Sequence, residues 1–243
     1  MSLPTIGRKA GNKLLFAVGN FMYPKSRYSV GMQVVERLAK SAKNGWFADK
    51  LSMCHVSEYG NKSLAIPLTY LVHENVNALK LCMKNRKMNI NDVVVVTYST
   101  DLEFGTMRLE HGGPTAGHLA LEPIFEFAQT DVFKRLSIGI AHPANMGYNP
   151  DALLTHNYDD DKYNSFFLCN KFPTKEQFIL DEILLPAAET LIQTENHDQS
   201  HSYSYKEVML LADRIKANTA KKLQYDELKA AQQKELKAAS MKL

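Results

Sequence analysis

Cysteine is scarce in this sequence, and what little there is stands apart. Cys54, Cys82 and Cys169 are the only three in 243 residues, and none forms a Cys-x-x-Cys pair. Such spacing argues against a disulfide framework and against a zinc site, and for a reducing compartment with thiols buried in the core. Long apolar runs are also missing: none approaches the ~20 residues that a membrane-spanning helix needs. The glycine-rich stretch at 112–117 lacks the Gly-Lys-Ser/Thr of an NTP phosphate loop. Asp159-Asp160-Asp161 lacks the Gly-spaced ligand pattern of a calcium loop, so it reads as a solvated acidic insertion and no metal is expected.

Acid is absent from the start of the chain, where the first acidic residue is Glu36. Residues 1–13 carry three basic and no acidic side chains, a net of +3. Residues 204–243 carry nine basic against five acidic, a net of +4. With +3 overall, the body from 14 to 203 is therefore about −4. Basic ends on a mildly acidic body point to an anionic partner for the ends. The basic, acid-free segment 1–12 also resembles a mitochondrial targeting segment.

The remaining sequence is organised by Lys13 to Gly31. An apolar run, Leu14 to Val18, stops at Gly19-Asn20, and a short polar loop leads to Val30, Val34, Val35 and Leu38 at helical spacing. This predicts a strand, a loop and a helix to about Lys43. In open α/β sheets ligands meet the carboxyl ends of strands, so the loop from Gly19 to Ser29 is the first place for a site. Leu51–Val56 and Leu64–Pro67 read as two strands around a turn at Glu58–Asn61. Asn75–Met88 reads as a helix. Asp92–Tyr98 contains four consecutive valines, as in a central strand buried on both faces. A strand at Thr106–Glu110, a helix at Leu119–Gln129, a strand at Phe133–Ala141 and a helix at Thr174–Thr194 follow, with a polar insertion at 145–164. Residues 196–204 read as a linker. The last part, 205–243, reads as a basic helical extension with an apolar stripe of Val208, Leu211 and Ile215.

These residues carry a resemblance. Gly19-Asn20, then Tyr23-Pro24-Lys25-Ser26-Arg27-Tyr28-Ser29-Val30-Gly31, resembles the opening of bacterial-type peptidyl-tRNA hydrolases, Gly-Asn-Pro followed by Tyr-x-x-Thr-Arg-His-Asn-x-Gly. Pro67-Leu68-Thr69-Tyr70, Asp92–Asp101, Gly112–His118 and Phe133–Pro143 resemble further family segments in the same order. The resemblance covers about 13–195. It implies one α/β domain with a mixed twisted sheet flanked by helices, to which 205–243 is added. It implies hydrolysis of the ester between a peptide and the tRNA 3′ end, by a histidine base, an orienting aspartate and asparagines that hold substrate and water.

The departures are as informative. Asn20 keeps one family asparagine. Tyr28 stands at the base position, Tyr98 at the orienting aspartate, and Val72 and Leu119 at two asparagines. A phenol with a pKa near 10 is a poor base at neutral pH, and aliphatic side chains cannot hydrogen-bond. Tyr28 and Tyr98 are expected to fill the vacated cleft rather than stack on a nucleotide. Glu110 and Ser137 occupy the family's basic positions near the tRNA 5′ phosphate, while Arg108, Lys134 and Arg135 stay basic nearby. No functional catalytic residue and no cofactor are expected. The leading expectation is an inactive homologue that binds rRNA or tRNA, or a ribonucleoprotein complex, in a mitochondrial or otherwise a cytoplasmic setting, through Arg27, Arg108, Lys134, Arg135, Arg214, Lys221 and Lys222. Two alternatives stand beside it. One is an active divergent hydrolase using His73 or His118. The other is a protein-binding scaffold whose C-terminal helix docks a partner through Val208, Leu211 and Ile215.

Overall fold

The computed structural model describes residues 13–115, 118–141, 171–194 and 200–240. The segment 1–12, Ala116 and Gly117 of the glycine-rich loop, all of 142–170 (with the insertion at 145–164, Asp159–Asp161 and Cys169), 195–199 and 241–243 lie outside the described residues. Eight strands make one sheet: β1 (Leu14–Ala17), β2 (Phe47–Asp49), β3 (Cys54–Tyr59), β4 (Lys62–Pro67), β5 (Val93–Ser99), β6 (Met107–His111), β7 (Lys134–Gly139) and β8 (His201–Tyr203). Their order is β2-β3-β4-β1-β5-β7-β6-β8. The pairs β1/β4, β1/β5 and β5/β7 are parallel, and the outer pairs are antiparallel.

Position in the sheet explains composition. β1 and β5 lie in the middle, and every residue of both is buried. Such strands have no polar face to show, which is why they read as continuous apolar runs rather than alternating ones. Helix α1 (Val30–Ser41) follows β1, and α2 (Asn75–Arg86) follows β4. The crossover from β1 leads out to β4, and the one from β4 leads back across to β5. Right-handed crossovers running in opposite directions put their helices on opposite faces. Gly31 lets α1 approach closely, because a Cβ there would overlap the Val96 carbonyl oxygen of β5.

Besides short 3-10 turns at Arg27–Ser29, Val72–Glu74 and Ile90–Asp92, three further helical stretches follow. These are α3 (Leu121–Ala128), α4 (Thr174–Ile179) continuing through a wide π turn at Leu180–Leu184 into α5 (Leu185–Gln193), and α6 (Tyr205–Ser240). The π turn sits just before Pro186, which has no N–H to give and crowds the carbonyl four residues back.

Two expectations are corrected. The stretch read as a linker holds β8, which pairs with β6 through Leu109↔His201, Arg108↔Ser202 and Met107↔Tyr203. The stripe Val208, Leu211 and Ile215 is buried within the chain itself, where α6 packs on α5. The Thr190 hydroxyl donates to the Leu211 carbonyl at 2.9 Å, and Lys216 pairs with Glu182 at 3.0 Å. The first turns of α6 are thus part of the folded body, and the stripe is not an open docking face. The three-residue edge strand β2 has no counterpart among the expected elements.

Candidate functional site

The carboxyl ends of β1, β4 and β5 converge where the strand order turns back on itself, the crevice at which α/β sheets hold ligands. Asn75, at the start of α2, fixes this junction. Its amide nitrogen donates to the Gly19 carbonyl at 3.1 Å and to Thr69 Oγ1 at 2.7 Å, while its oxygen accepts from the Gly19 N–H at 2.9 Å. Fully buried, Asn75 satisfies the backbone of one loop with the side chain of another. Sequence reasoning placed it only as a helix start, and an amide at that position was the available signal.

Asn20 is occupied locally. Its Oδ1 accepts from the Met22 N–H at 2.9 Å, and its N–H donates to Ser29 Oγ at 3.0 Å. The side chain thereby shapes a turn of the kind asparagine favours.

Tyr28 and Tyr98 meet across the crevice. Their ring centroids are 4.5 Å apart at 60°, edge to face, and each is 4% exposed. Tyr98 also stacks on His118, with centroids 4.1 Å apart. Tyr28, Tyr98 and His118 thus form one aromatic column in the crevice. Val72 is buried and Leu119 is partly buried.

His118 is held in one tautomer. Nε2 lies 3.1 Å from the Tyr98 carbonyl, which can only accept, so Nε2 carries the proton. Thr97 Oγ1 lies 2.9 Å from the same nitrogen. Nδ1 accepts from the N–H groups of Ala120 at 3.1 Å and Leu121 at 3.3 Å, capping the first turn of α3. Desolvation lowers its pKa to about 4, against the opposing effect of the hydrogen bond to Tyr98. With both nitrogens engaged and the ring neutral, neither is open to activate water. A substitute-base role for His118 would require these hydrogen bonds to break. His73 is exposed at the rim.

The rim itself is apolar and aromatic. Phe21, Met22, Tyr23, Tyr70 and Leu71 are exposed, Tyr70 by 67%. The Phe21 N–H donates to the Thr69 carbonyl at 3.4 Å, which brings the two rim loops side by side.

The expected cationic residues divide into two groups. Arg27 is 2% exposed and committed inside the fold. It pairs with Glu176, donates to the Ile140 carbonyl at 3.2 Å and lies 4.8 Å from the Phe172 ring centroid. Arg135, 1% exposed, donates to the carbonyls of Gly112 at 2.7 Å, Gly113 at 3.1 Å and Pro114 at 3.3 Å. Burial pulls its pKa down, and Glu110 opposes that shift. The glycine-rich loop thus turns carbonyls, not amides, toward a guanidinium, and Gly112 and Gly113 supply the positive φ this requires. Arg27 and Arg135 are structural, which corrects their reading as RNA contacts.

Glu110 is the hub of the neighbouring strands. Ser137 donates to its Oε2 at 2.8 Å, Arg135 lies 3.5 Å from Oε1, and Arg108 lies 3.1 Å from Oε1. The two positions that resemblance makes basic are therefore an acid and its hydroxyl donor. Arg108 and Lys134 are part-exposed here, whereas Arg214, Lys221 and Lys222 are exposed on α6, remote from this hub in sequence.

Comparison with known proteins completes the picture. The sequence profile of the family described as peptidyl-tRNA hydrolase matches residues 14–206. The chain is 28% identical over 198 residues to the peptidyl-tRNA hydrolase of Aquifex aeolicus (strain VF5), covering 79% of this chain and 95% of that protein. It is 30% identical over 139 residues to that of Ligilactobacillus salivarius (strain UCC118), covering 55% and 75% respectively. The crystal structure of peptidyl-tRNA hydrolase from Acinetobacter baumannii superposes with a TM-score of 0.61 at 20% identity, over 85% of this chain and 96% of that one, and speaks for the fold. With the sheet order, the ordered motifs and a profile match across most of its length, the chain belongs to the peptidyl-tRNA hydrolase family.

Proposed function

We propose that this chain is a non-hydrolytic member of the family that binds RNA, as rRNA or tRNA within a ribonucleoprotein. The observation that carries the first half is the Tyr28–Tyr98 contact in the crevice. A missing general base alone forfeits about 10²–10⁴ in rate. Here base, orienter and two amide positions have changed together, and His118 is engaged at both nitrogens.

Two features support the second half. The rim offers Tyr23, Tyr70 and Phe21 as exposed faces on which unpaired bases stack. The exposed side of α6 offers Arg214, Lys221 and Lys222 for phosphates. The mitochondrial setting rests on the basic start of the chain, and import into isolated mitochondria tests it.

Binding of fluorescent tRNA and rRNA fragments across a salt series tests the RNA reading. The expected outcome is binding that weakens with salt and that falls when Tyr23 and Tyr70 are changed to alanine. Binding that is absent at low salt, in a preparation that melts cooperatively, contradicts it. A protein-only partner recovered from cells would favour the scaffold alternative, which then needs a surface other than the buried stripe of α6.

A further inference from the structure

A second cluster of chemistry-bearing side chains lies away from the crevice, under the edge hairpin of the sheet. Cys54 opens β3, and Cys82 sits on the inner face of α2. Both are free thiols with no exposed surface. The two side chains lie close enough to interact directly. Arg86, one helical turn beyond Cys82, donates from Nη1 to its Sγ at 2.9 Å. The same guanidinium lies 3.6 Å from Asp49 Oδ2 on the edge strand β2. Asp49 is held in turn by the Ser52 hydroxyl and by the Leu51 N–H at 3.1 Å.

This is more than a pair of buried core thiols. A neutral thiol is a weak acceptor, and a guanidinium set against it stabilises the thiolate. Cys54 and Arg86 both pull the Cys82 pKa down, against burial, while Cys82 and burial push Cys54 up. The guanidinium is set against the Cys82 sulfur, which marks Cys82 as the nucleophile and leaves Cys54 as its proton-bearing neighbour. Arg86 Nε is also buried without a hydrogen-bond partner among the described residues, on a side chain only 10% exposed. A spare donor beside a thiolate is a ready partner for an oxygen attached to that sulfur.

We propose that Cys82 is a peroxide-reactive thiol and Cys54 its resolving partner, so that oxidation forms a reversible disulfide between α2 and β3. The Cys82 thiolate attacks hydrogen peroxide, the O–O bond breaks, and the departing hydroxide takes a proton to become water. Sulfur is oxidised to the sulfenic acid and peroxide is reduced. The Cys54 thiol then attacks that sulfur, the S–O bond breaks, and a second water leaves with the Cys54 proton. Two thiols and one peroxide give one disulfide and two waters. Full burial of both sulfurs behind the Asp49–Arg86 pair selects a small uncharged oxidant over bulky disulfides.

The test uses the full chain treated with hydrogen peroxide and mapped by non-reducing peptide mass spectrometry. The expected product is a Cys54–Cys82 cross-link that dithiothreitol releases. In Cys54→Ser, or Cys54→Ala if the serine variant fails to melt cooperatively, Cys82 proceeds to sulfinic acid instead. Arg86→Gln slows Cys82 oxidation about tenfold, and Arg86→Lys stays within about threefold of wild type, as a charge effect on the thiolate requires. The proposal is overturned if wild type shows no such cross-link, or if Cys82 oxidises no faster in the folded chain than in urea. It is equally overturned if Arg86→Gln and wild type react at one rate.

Discussion

Tyr28 and Tyr98 touch edge to face, with ring centroids 4.5 Å apart, at the two positions where resemblance calls for a base and the acid that orients it. The contact joins the loop after β1 to the end of β5. Truncating either ring to alanine removes a buried aromatic and is expected to cost about 3–5 kcal/mol. A double-mutant cycle should return a coupling of about 1 kcal/mol for the pair. Urea unfolding of the two single variants and the double variant measures both.

His118 makes stability depend on pH in a defined direction. Its pKa is about 4 in the folded chain against an ordinary histidine value of 6.5, so between those values the unfolded chain takes up a proton that the folded chain refuses. Stability contributed by the neutral ring is complete above pH 6.5 and is lost as pH falls toward 4, amounting to about 3 kcal/mol over that window. Urea midpoints for wild type and His118→Gln at pH 7, 5.5 and 4.5 should converge as the pH drops. Parallel lines would show that the ring is not held neutral.

Arg27 and the lysines of α6 should separate cleanly. Arg27→Ala leaves Glu176 without its partner and removes the contacts to Ile140 and Phe172, and it is expected to cost about 3 kcal/mol. Lys221→Ala with Lys222→Ala touches only exposed side chains, so the melting temperature should stay within experimental error. The pair should instead lower RNA affinity and reduce the salt slope by about 0.7 for each phosphate that is no longer neutralised.

The place at which α6 is cut decides what a truncation reports. Ending the chain at Ser204 removes Val208, Leu211, Ala212 and Ile215 from the core and should destabilise the whole domain. Ending it at Thr219 removes Lys221 and Lys222 while keeping that packing, so RNA affinity should fall with the melting temperature unchanged. Equal affinity for full-length and Thr219-terminated chains would remove the tail from the binding surface.

Much of the fold was legible in the residues, and the illegible parts share a cause. β1, α1 and β5 carry their periodicity locally, so strand, loop and helix were read close to their observed limits. β2 and β8 are three-residue edge strands, too short and polar to signal anything alone. They exist because β3 and β6 offer open edges. The stripe Val208, Leu211 and Ile215 was visible, but its cover, α5 of the same chain, was not. Arginine is usually a surface residue, and nothing near Arg27 in sequence reveals Glu176, 149 positions away. In the crevice, the resemblance drew attention to Tyr28, Val72, Tyr98 and Leu119, and the structure buries Tyr28, Val72 and Tyr98. The locking of His118 was not legible, because it depends on a backbone carbonyl of β5 and two amides at the start of α3.

Single-turnover kinetics test the proposed absence of ester hydrolysis most directly. Purified full-length protein in excess over a peptidyl-tRNA should release no peptide above the buffer rate across pH 6 to 9, while an active bacterial relative in parallel empties the substrate. Release at a rate approaching that relative, lost on changing Asn20 or His73 to alanine, would contradict the account.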